Sequence, residues 1–343
     1  MGHRHRYPLS APEDLENRVV MSLGSLSSML GLQPAAIHHS LTTAHVGSSP
    51  AIGAVGDSLT DPYQGYPPDR SHARNWVEQL AISRHANFGA FSENVHGQSG
   101  HPGYANDWAM SGATSSDLVA NQLPGLAAQV AKGQVKYAVV LIGDNDFGQF
   151  LNQAPALASD PAALMASLAQ VEQTAQANFD KTVQTLLQAS PNVKVEVATI
   201  PDIAQTPAVQ AQLAPLGVQG QALTQLVSQA IGAYNQHIRS VASGNDHIAL
   251  ADLAAVDASL AQSTTPLQVG SITMDMTHTG DDYHDFILAD GLHPGTIAQG
   301  IIANTMVDAL DAKFQAGIRP LSASEIVRIA QKADGAVATA NRV

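Results

Sequence analysis

The segments of this chain able to support covalent chemistry are a serine turn, an Asp-x-x-His pair and two stretches that offer hydrogen-bond donors. The serine turn is Val55-Gly56-Asp57-Ser58-Leu59-Thr60-Asp61, directly after a short apolar run. A serine hydroxyl is a weak nucleophile at neutral pH. It attacks a carbonyl only when a base within hydrogen-bond reach takes its proton and a third group fixes the tautomer of that base. Among the 14 His, His293 lies in Ala289-Asp290-Gly291-Leu292-His293-Pro294-Gly295, just ahead of a long amphipathic stretch. Asp290 stands three residues before His293 across a Gly-containing turn, a spacing that lets the carboxylate meet one ring nitrogen and leaves the other for Ser58. Pro294 suits the start of the helix that follows. Taken alone, Ser58 reads as a turn or helix-cap serine and His293 as a surface or capping imidazole; the argument rests on their combination.

Acyl transfer also needs donors aimed at the developing oxyanion. Ala109-Met110-Ser111-Gly112-Ala113-Thr114-Ser115 is one source, because Gly112 lets a backbone N–H approach a ligand closely. Leu141-Ile142-Gly143-Asp144-Asn145-Asp146 is the other, with the Asn145 side-chain amide as donor. Singly, Gly112 and Asn145 read as turn residues. Asp57 and Asp146, which adjoin these positions, read as carboxylates that hold turns through backbone N–H groups rather than as proton carriers.

Together the four segments resemble the SGNH, or GDSL-type, hydrolases. The blocks of that family are a G-D-S turn, a glycine, G-x-N-D and D-x-x-H. Here they read Gly56-Asp57-Ser58-Leu59, Gly112, Gly143-Asp144-Asn145-Asp146 and Asp290-Gly291-Leu292-His293, in family order. The resemblance implies that Ser58 is the nucleophile, His293 the general base and Asp290 its orienting acid. It implies an oxyanion hole made by the Ser58 and Gly112 N–H groups with the Asn145 side chain. It further implies a three-layer α/β/α flavodoxin-like fold with a mainly parallel sheet, and carboxylic ester hydrolysis through an acyl-enzyme, of esterase or lipase type, without metal or cofactor. Two rival readings keep the same fold: an O-acyltransferase or carbohydrate acetyl-esterase, and a non-catalytic carbohydrate-binding domain. Intact Ser58, Asn145 and His293 argue against the idle version.

Other catalytic signatures are missing. The chain has no Gly-x-Ser-x-Gly elbow, no His-Glu-x-x-His, no Gly-x-x-x-x-Gly-Lys and no Gly-x-Gly-x-x-Gly. With Cys 0, disulfides, thiolate nucleophiles and cysteine-ligated metals are excluded. The acidic stretch holding Asp275, His278, Asp281, Asp282, His284 and Asp285 has donors for Ca²⁺ or a transition metal, although such loop acids are usually solvated.

The elements that must position these residues follow from periodicity. Short β-branched runs at 51–55, 137–142, 193–199 and 247–250 alternate with longer amphipathic stretches at 73–84, 115–131, 161–189, 219–242 and 296–315. That alternation predicts parallel strands joined by helical crossovers. In such a sheet Ser58 falls at a strand's carboxyl end, where ligands collect. The segment 267–288 predicts an inserted hairpin or long loop.

The 343 residues, 45% of them hydrophobic and 13% charged, suit one large folded domain, placed at 51–330 with a C-terminal tail at 331–343. Residues 1–50 read as a poorly ordered or peripheral arm. Within the arm, Pro12-Glu13-Asp14-Leu15-Glu16-Asn17-Arg18-Val19-Val20-Met21-Ser22 is similar in part to an L-E-x-L-E-x-R-x-x-L-S signature of exported planctomycete-type proteins. An exported, extracellular protein is the expectation. No stretch is apolar and long enough to span a bilayer. The net charge of −13 disfavours nucleic-acid and anionic-membrane surfaces. The expected partner is a small-molecule or polysaccharide ester. With 7 Phe, 7 Tyr and 2 Trp, an aromatic platform for a sugar is within the composition's reach, but the sequence does not place one.

Overall fold

The computed structural model describes residues 50–157 and 159–340. Four parallel strands form the central sheet in the order β1 (Ile52–Gly56), β2 (Tyr137–Leu141), β3 (Lys194–Ala198), β4 (Ile248–Ala251). Gly56 pairs with Leu141, Val140 with Val197, and Ala198 with Ala251. The β1 and β2 side chains are all buried, which is why both read as unbroken apolar runs rather than alternating ones. Residues 105–110 run along the outer edge of β1: Ala54 N–H donates to Asn106 O at 2.9 Å, and Trp108 N–H to Ala54 O at 2.9 Å. Chain order along the sheet is therefore second segment, β1, β2, β3, β4. This is the flavodoxin-like arrangement, whose switch point beside β1 places a crevice at the carboxyl end of that strand.

Helices cover both faces, giving a three-layer α/β/α fold. On one side α1 (Trp76–Arg84) packs against α7 (Thr296–Phe314), which crosses β3 and β4. On the other side α2 (Leu123–Ala131) packs on β1, α4 (Pro161–Ala189) on β3, and α5 (Val218–Ser243) on β3 and β4. Leu126 of α2 is fully buried, so Leu126→Ala would cost about 2–5 kcal/mol. Two further helices, α3 (Asp144–Leu157) and α6 (Leu253–Gln262), lie in stretches that the periodicity left as connections. In α3 the reason is plain: Gly148 and Pro155 interrupt the helical pattern.

The stretch 115–131, expected as one regular helix, holds a π-turn at Leu118–Gln122 between a short helical turn and α2. Pro294 precedes the cap of α7 instead of opening the helix; Gly295 is the N-cap. Segment 267–288 holds a short antiparallel pair, Gln268–Val269 with Ile272–Thr273, and a second pairing of Asp275–Thr279 with Asp285–Ile287. The expected boundary at Ala330 is corrected, because it falls inside α8 (Ala323–Ala340). Ile326, Val327, Ala330 and Ala333 of that helix are buried and it packs on α7, so an apolar face carries the domain past 330. The arm at 1–49, with its export-type segment, lies outside the described residues.

Candidate active site

β1 and β2 are in parallel register at Gly56 and Leu141, so Ser58 and the Gly143-Asp144-Asn145-Asp146 segment leave adjacent strand ends side by side. The turn that holds Ser58 closes on Asp57, whose Oδ1 accepts the Leu59 N–H at 3.0 Å while its main-chain O accepts Asp61 N–H at 2.9 Å. Asp57 is fully buried. Burial pushes its carboxyl up to about 7, against the Leu59 hydrogen bond and with added repulsion from Asp146. The Gln122 amide grips the end of β1 from the π-turn: its Oε1 accepts Gly56 N–H at 2.9 Å and its Nε2 donates to Gly56 O at 2.8 Å. Beyond the turn, buried Glu78 holds the chain by accepting Tyr63 N–H at 3.1 Å and Asn75 N–H at 2.8 Å.

The oxyanion candidates are brought to the same place. Asn145, expected in a turn, sits in the first turn of α3, and its Nδ2 donates to Ala113 O at 3.0 Å. Next to it, Asp146 accepts Ser115 N–H at 2.8 Å and the Ser115 hydroxyl at 2.7 Å. Two adjacent side chains thus tie α3 to the Gly112 loop. Gly112 has φ +80 with open space where a Cβ would stand, so the backbone conformation itself calls for glycine and its surroundings are free for a ligand. Gly143 differs: at φ +135, a Cβ there would lie 2.7 Å from the Tyr234 ring.

Opposite these loops, before α7, His293 Nδ1 is 2.5 Å from Asp290 Oδ2. Asp290 Oδ1 also accepts Leu292 N–H at 2.8 Å and His293 N–H at 2.9 Å. Burial works to raise this carboxyl, but the imidazole hydrogen bond and charge, with the two backbone donors, outweigh it and hold the group at about 2. The ionised carboxylate accepts from Nδ1–H, which leaves the Nε2 lone pair as the basic site. Nε2 is buried and has no hydrogen-bond partner among the described residues, so the Ser58–His293 hydrogen bond anticipated from the spacing is not formed here. Such bonds are often long without substrate and tighten in the complex. Tyr63, five residues after Ser58, meets the His293 ring edge-on at 6.0 Å, joining the Ser58 loop to the Asp290–His293 pair.

Sequence reasoning missed a buried network between these parts. Asp61 Oδ2 accepts the Ser111 N–H at 2.7 Å and the Tyr66 hydroxyl. Arg70, 3% exposed, donates through Nη2 to Ser111 Oγ at 2.7 Å and lies over the Tyr66 ring at 4.2 Å. Ser111, the residue before Gly112, is therefore held at both its backbone and its side chain. Asp61 was visible within the serine turn; nothing local marked Arg70, whose hydrogen-bond partner Ser111 is 41 residues away. In the 275–285 loop, His278 pairs with Asp285 at 3.0 Å, His284 with Asp282 at 2.5 Å, and Asp281 with His72 at 3.0 Å. Among the described residues no group of three or more His, Asp or Glu is arranged to hold a metal ion.

Residues 52–306 match the model of the GDSL-like lipase/acylhydrolase family. The chain belongs to this family. The GDSL-like hydrolase is a serine ester hydrolase that acts on carboxylic esters. It is similar to a lipase from a goat rumen metagenome, at 14% identity over 76% of this chain and 97% of that one, with TM-score 0.46. It is also similar to phospholipase A1 from Streptomyces albidoflavus, at 17% identity over 77% and 99%, with TM-score 0.43. A third similar structure is a family 3 carbohydrate esterase from Clostridium thermocellum, at 16% identity over 78% and 98%, with TM-score 0.40. No curated protein sequence matches the chain. No helix among the described residues is long and apolar enough to cross a membrane.

Proposed function

We propose that the hydrolase cleaves its ester at Ser58 through an acyl-enzyme. Ser58 Oγ attacks the carbonyl carbon while His293 Nε2 takes the hydroxyl proton, and the carbonyl π electrons move onto oxygen. The Ser58 and Gly112 N–H groups and the second Nδ2–H of Asn145, the one not given to Ala113, receive that oxyanion. Collapse breaks the bond to the alcohol oxygen, which leaves with the proton from His293. Water, deprotonated by the same nitrogen, then releases the acid and frees Ser58. Asp290 stays ionised throughout and holds the imidazole in the tautomer that keeps Nε2 basic. The observation that carries this reading is the His293–Asp290 pair at 2.5 Å with Nε2 left unpaired beside the nucleophile loop. Asp57 and Asp146 have backbone N–H partners and serve the turns.

The test is Ser58→Ala with an organophosphorus serine probe. The variant loses nearly all p-nitrophenyl acetate turnover while its unfolding curve matches wild type, since the Ser58 side chain makes no hydrogen bond among the described residues, and the probe labels Ser58 in wild type only. Wild-type turnover in the variant, or a label elsewhere, overturns the assignment. The partial likeness of residues 12–22 to an export signature supports export of the hydrolase, which fractionation of the source cells tests.

A further inference from the structure

A cavity of about 420 Å³ opens next to the Gly112 loop, lined by His96, Gln98, His101, Trp108, Met110 and Asn121. Its volume falls within the range of small-molecule sites, about 300–1,000 Å³. One wall residue ties the cavity to the end of β1 and to the Gly112 loop: Met110 N–H donates to Gly56 O at 3.2 Å, and Met110 O accepts Ala113 N–H at 3.0 Å. Met110 and Gly112 lie in the one turn that this Ala113 N–H to Met110 O bond closes, so they stand closer than the roughly 7 Å that two extended residues would span. Met110 therefore belongs both to the cavity wall and to the turn that holds Gly112.

The walls are built on a fixed aromatic stack. His96 and Trp108 stack at 3.5 Å between ring centroids with 19° between planes. The indole is locked on its far side, where Nε1 donates to Gln129 at 2.9 Å and any Cβ on Gly125 would collide with the ring at 2.3 Å. His96 Nε2 donates to the Asp107 carbonyl at 2.7 Å, so its Nδ1 is an acceptor. Burial, reinforced by the neighbouring His101, holds His96 below the usual imidazole range, against the pull of the Asp107 hydrogen bond. No Asp, Glu, Lys or Arg lines the cavity. The π-turn divides the work of two adjacent residues, sending Gln122 to the end of β1 and leaving the Asn121 amide exposed at the cavity.

We infer that this cavity is the subsite for the alcohol part of the ester, and that this part is an uncharged sugar ring. The inference rests on the catalytic reading above and adds the substrate class. Two amides and two imidazoles match hydroxyl groups that both donate and accept, and the His96 ring, backed by Trp108, offers its outer face to the C–H face of a ring. An alkyl chain would strand those polar groups without partners, at about 1–3 kcal/mol each. A phosphorylated or carboxylated ligand would find no Lys or Arg in the lining. Acetylated sugars fit this pattern, with the acyl group small and the sugar supplying most of the contact.

The experiment compares wild type with Gln98→Ala and Asn121→Ala, two exposed side chains outside the proposed catalytic set. Substrates are methyl tri-O-acetyl-xyloside, p-nitrophenyl acetate and p-nitrophenyl palmitate. The expected result is a rise of about fivefold to tenfold in KM for the xyloside ester in each variant, the loss of one hydrogen bond, with p-nitrophenyl acetate kinetics unchanged. Independently, methyl xyloside added to Ser58→Ala changes the tryptophan fluorescence, and Trp108→Phe abolishes the response, leaving Trp76 as the sole indole. Unchanged xyloside kinetics together with no fluorescence change overturn the inference. So does a preference for the palmitate ester with its KM raised by the same substitutions, which would make the cavity an acyl site. If Ser58→Ala still turns over p-nitrophenyl acetate, the catalytic reading fails instead, and xyloside binding still scores the cavity.

Discussion

Replacing Asp290 by Asn separates the two roles of this carboxylate, because the amide keeps the size and one acceptor while losing the charge. Folding moves the carboxyl from 3.8 to about 2, which at about 1.4 kcal/mol per pH unit is about 2 kcal/mol of stability. Solvent reaches 23% of the side chain, and the amide oxygen still accepts from Leu292 and His293 N–H, so about 1 kcal/mol is the expected loss. The sign follows from the depressed value: the stabilisation is complete above about pH 4 and disappears as pH falls towards 2. The effect on turnover is far larger. With Oδ1 held by the two backbone donors, the Asn amide turns its N–H₂ to His293 Nδ1, which must then accept. The ring proton moves to Nε2, and no lone pair is left for Ser58. Loss of the working tautomer costs on the order of 10³–10⁴ in kcat. Urea unfolding at pH 7, 4 and 3, run beside p-nitrophenyl acetate kinetics, reads both effects. A variant that keeps a tenth or more of wild-type kcat would refute the tautomer argument, however its stability changed.

Asn145→Ala, which removes one donor to charge present mainly in the transition state, is expected to lower kcat by about 10²–10³ with little change in KM; an effect confined to KM would make Asn145 a substrate-binding wall. Arg70→Lys keeps the charge but cannot both lie over Tyr66 and reach Ser111, so kcat should fall about tenfold while KM holds, and an unchanged kcat would show that Ser111 is placed without it. Glu196 stands in the middle of β3, fully buried with both oxygens unpartnered among the described residues, and burial raises its pKa well above 4.5. The native state therefore favours the neutral acid and loses stability as pH rises above about 4.5. Glu196→Met should be more stable than wild type at pH 8 by a margin that shrinks at pH 5, and a pH-independent difference in urea midpoint would refute this. Dialysis against EDTA should leave turnover unchanged, since Ser58, His293 and Asp290 fill every role in the proposed chemistry; a loss restored by Ca²⁺ would point to the 275–285 loop.

The four central strands and the long helices were legible in the sequence because burial on both faces imposes continuous β-branched runs, and a single apolar face imposes helical periodicity. The α4 helix was read at its observed limits, Pro161–Ala189, because proline and an aspartate cap mark its start. The serine turn, the Gly112 loop, the Asn145 segment and the Asp290–His293 pair were legible for another reason. Each is a local device whose geometry its own few residues set: an aspartate closing a turn, a glycine at positive φ, a carboxylate three residues from an imidazole.

What joins these devices depends on distance in space, and no local pattern reports it. Arg70 over Tyr66 and on Ser111, Gln122 on Gly56, Tyr63 against His293, and the His96–Trp108 stack each join residues far apart in sequence or too ordinary in type to stand out. Order along the chain determined that Ser58 and the Asn145 segment follow directly on neighbouring strands. The tertiary structure alone decided which neighbours hold them and that a cavity opens beside Gly112, because burial and hydrogen-bond pairing are properties of the packed chain.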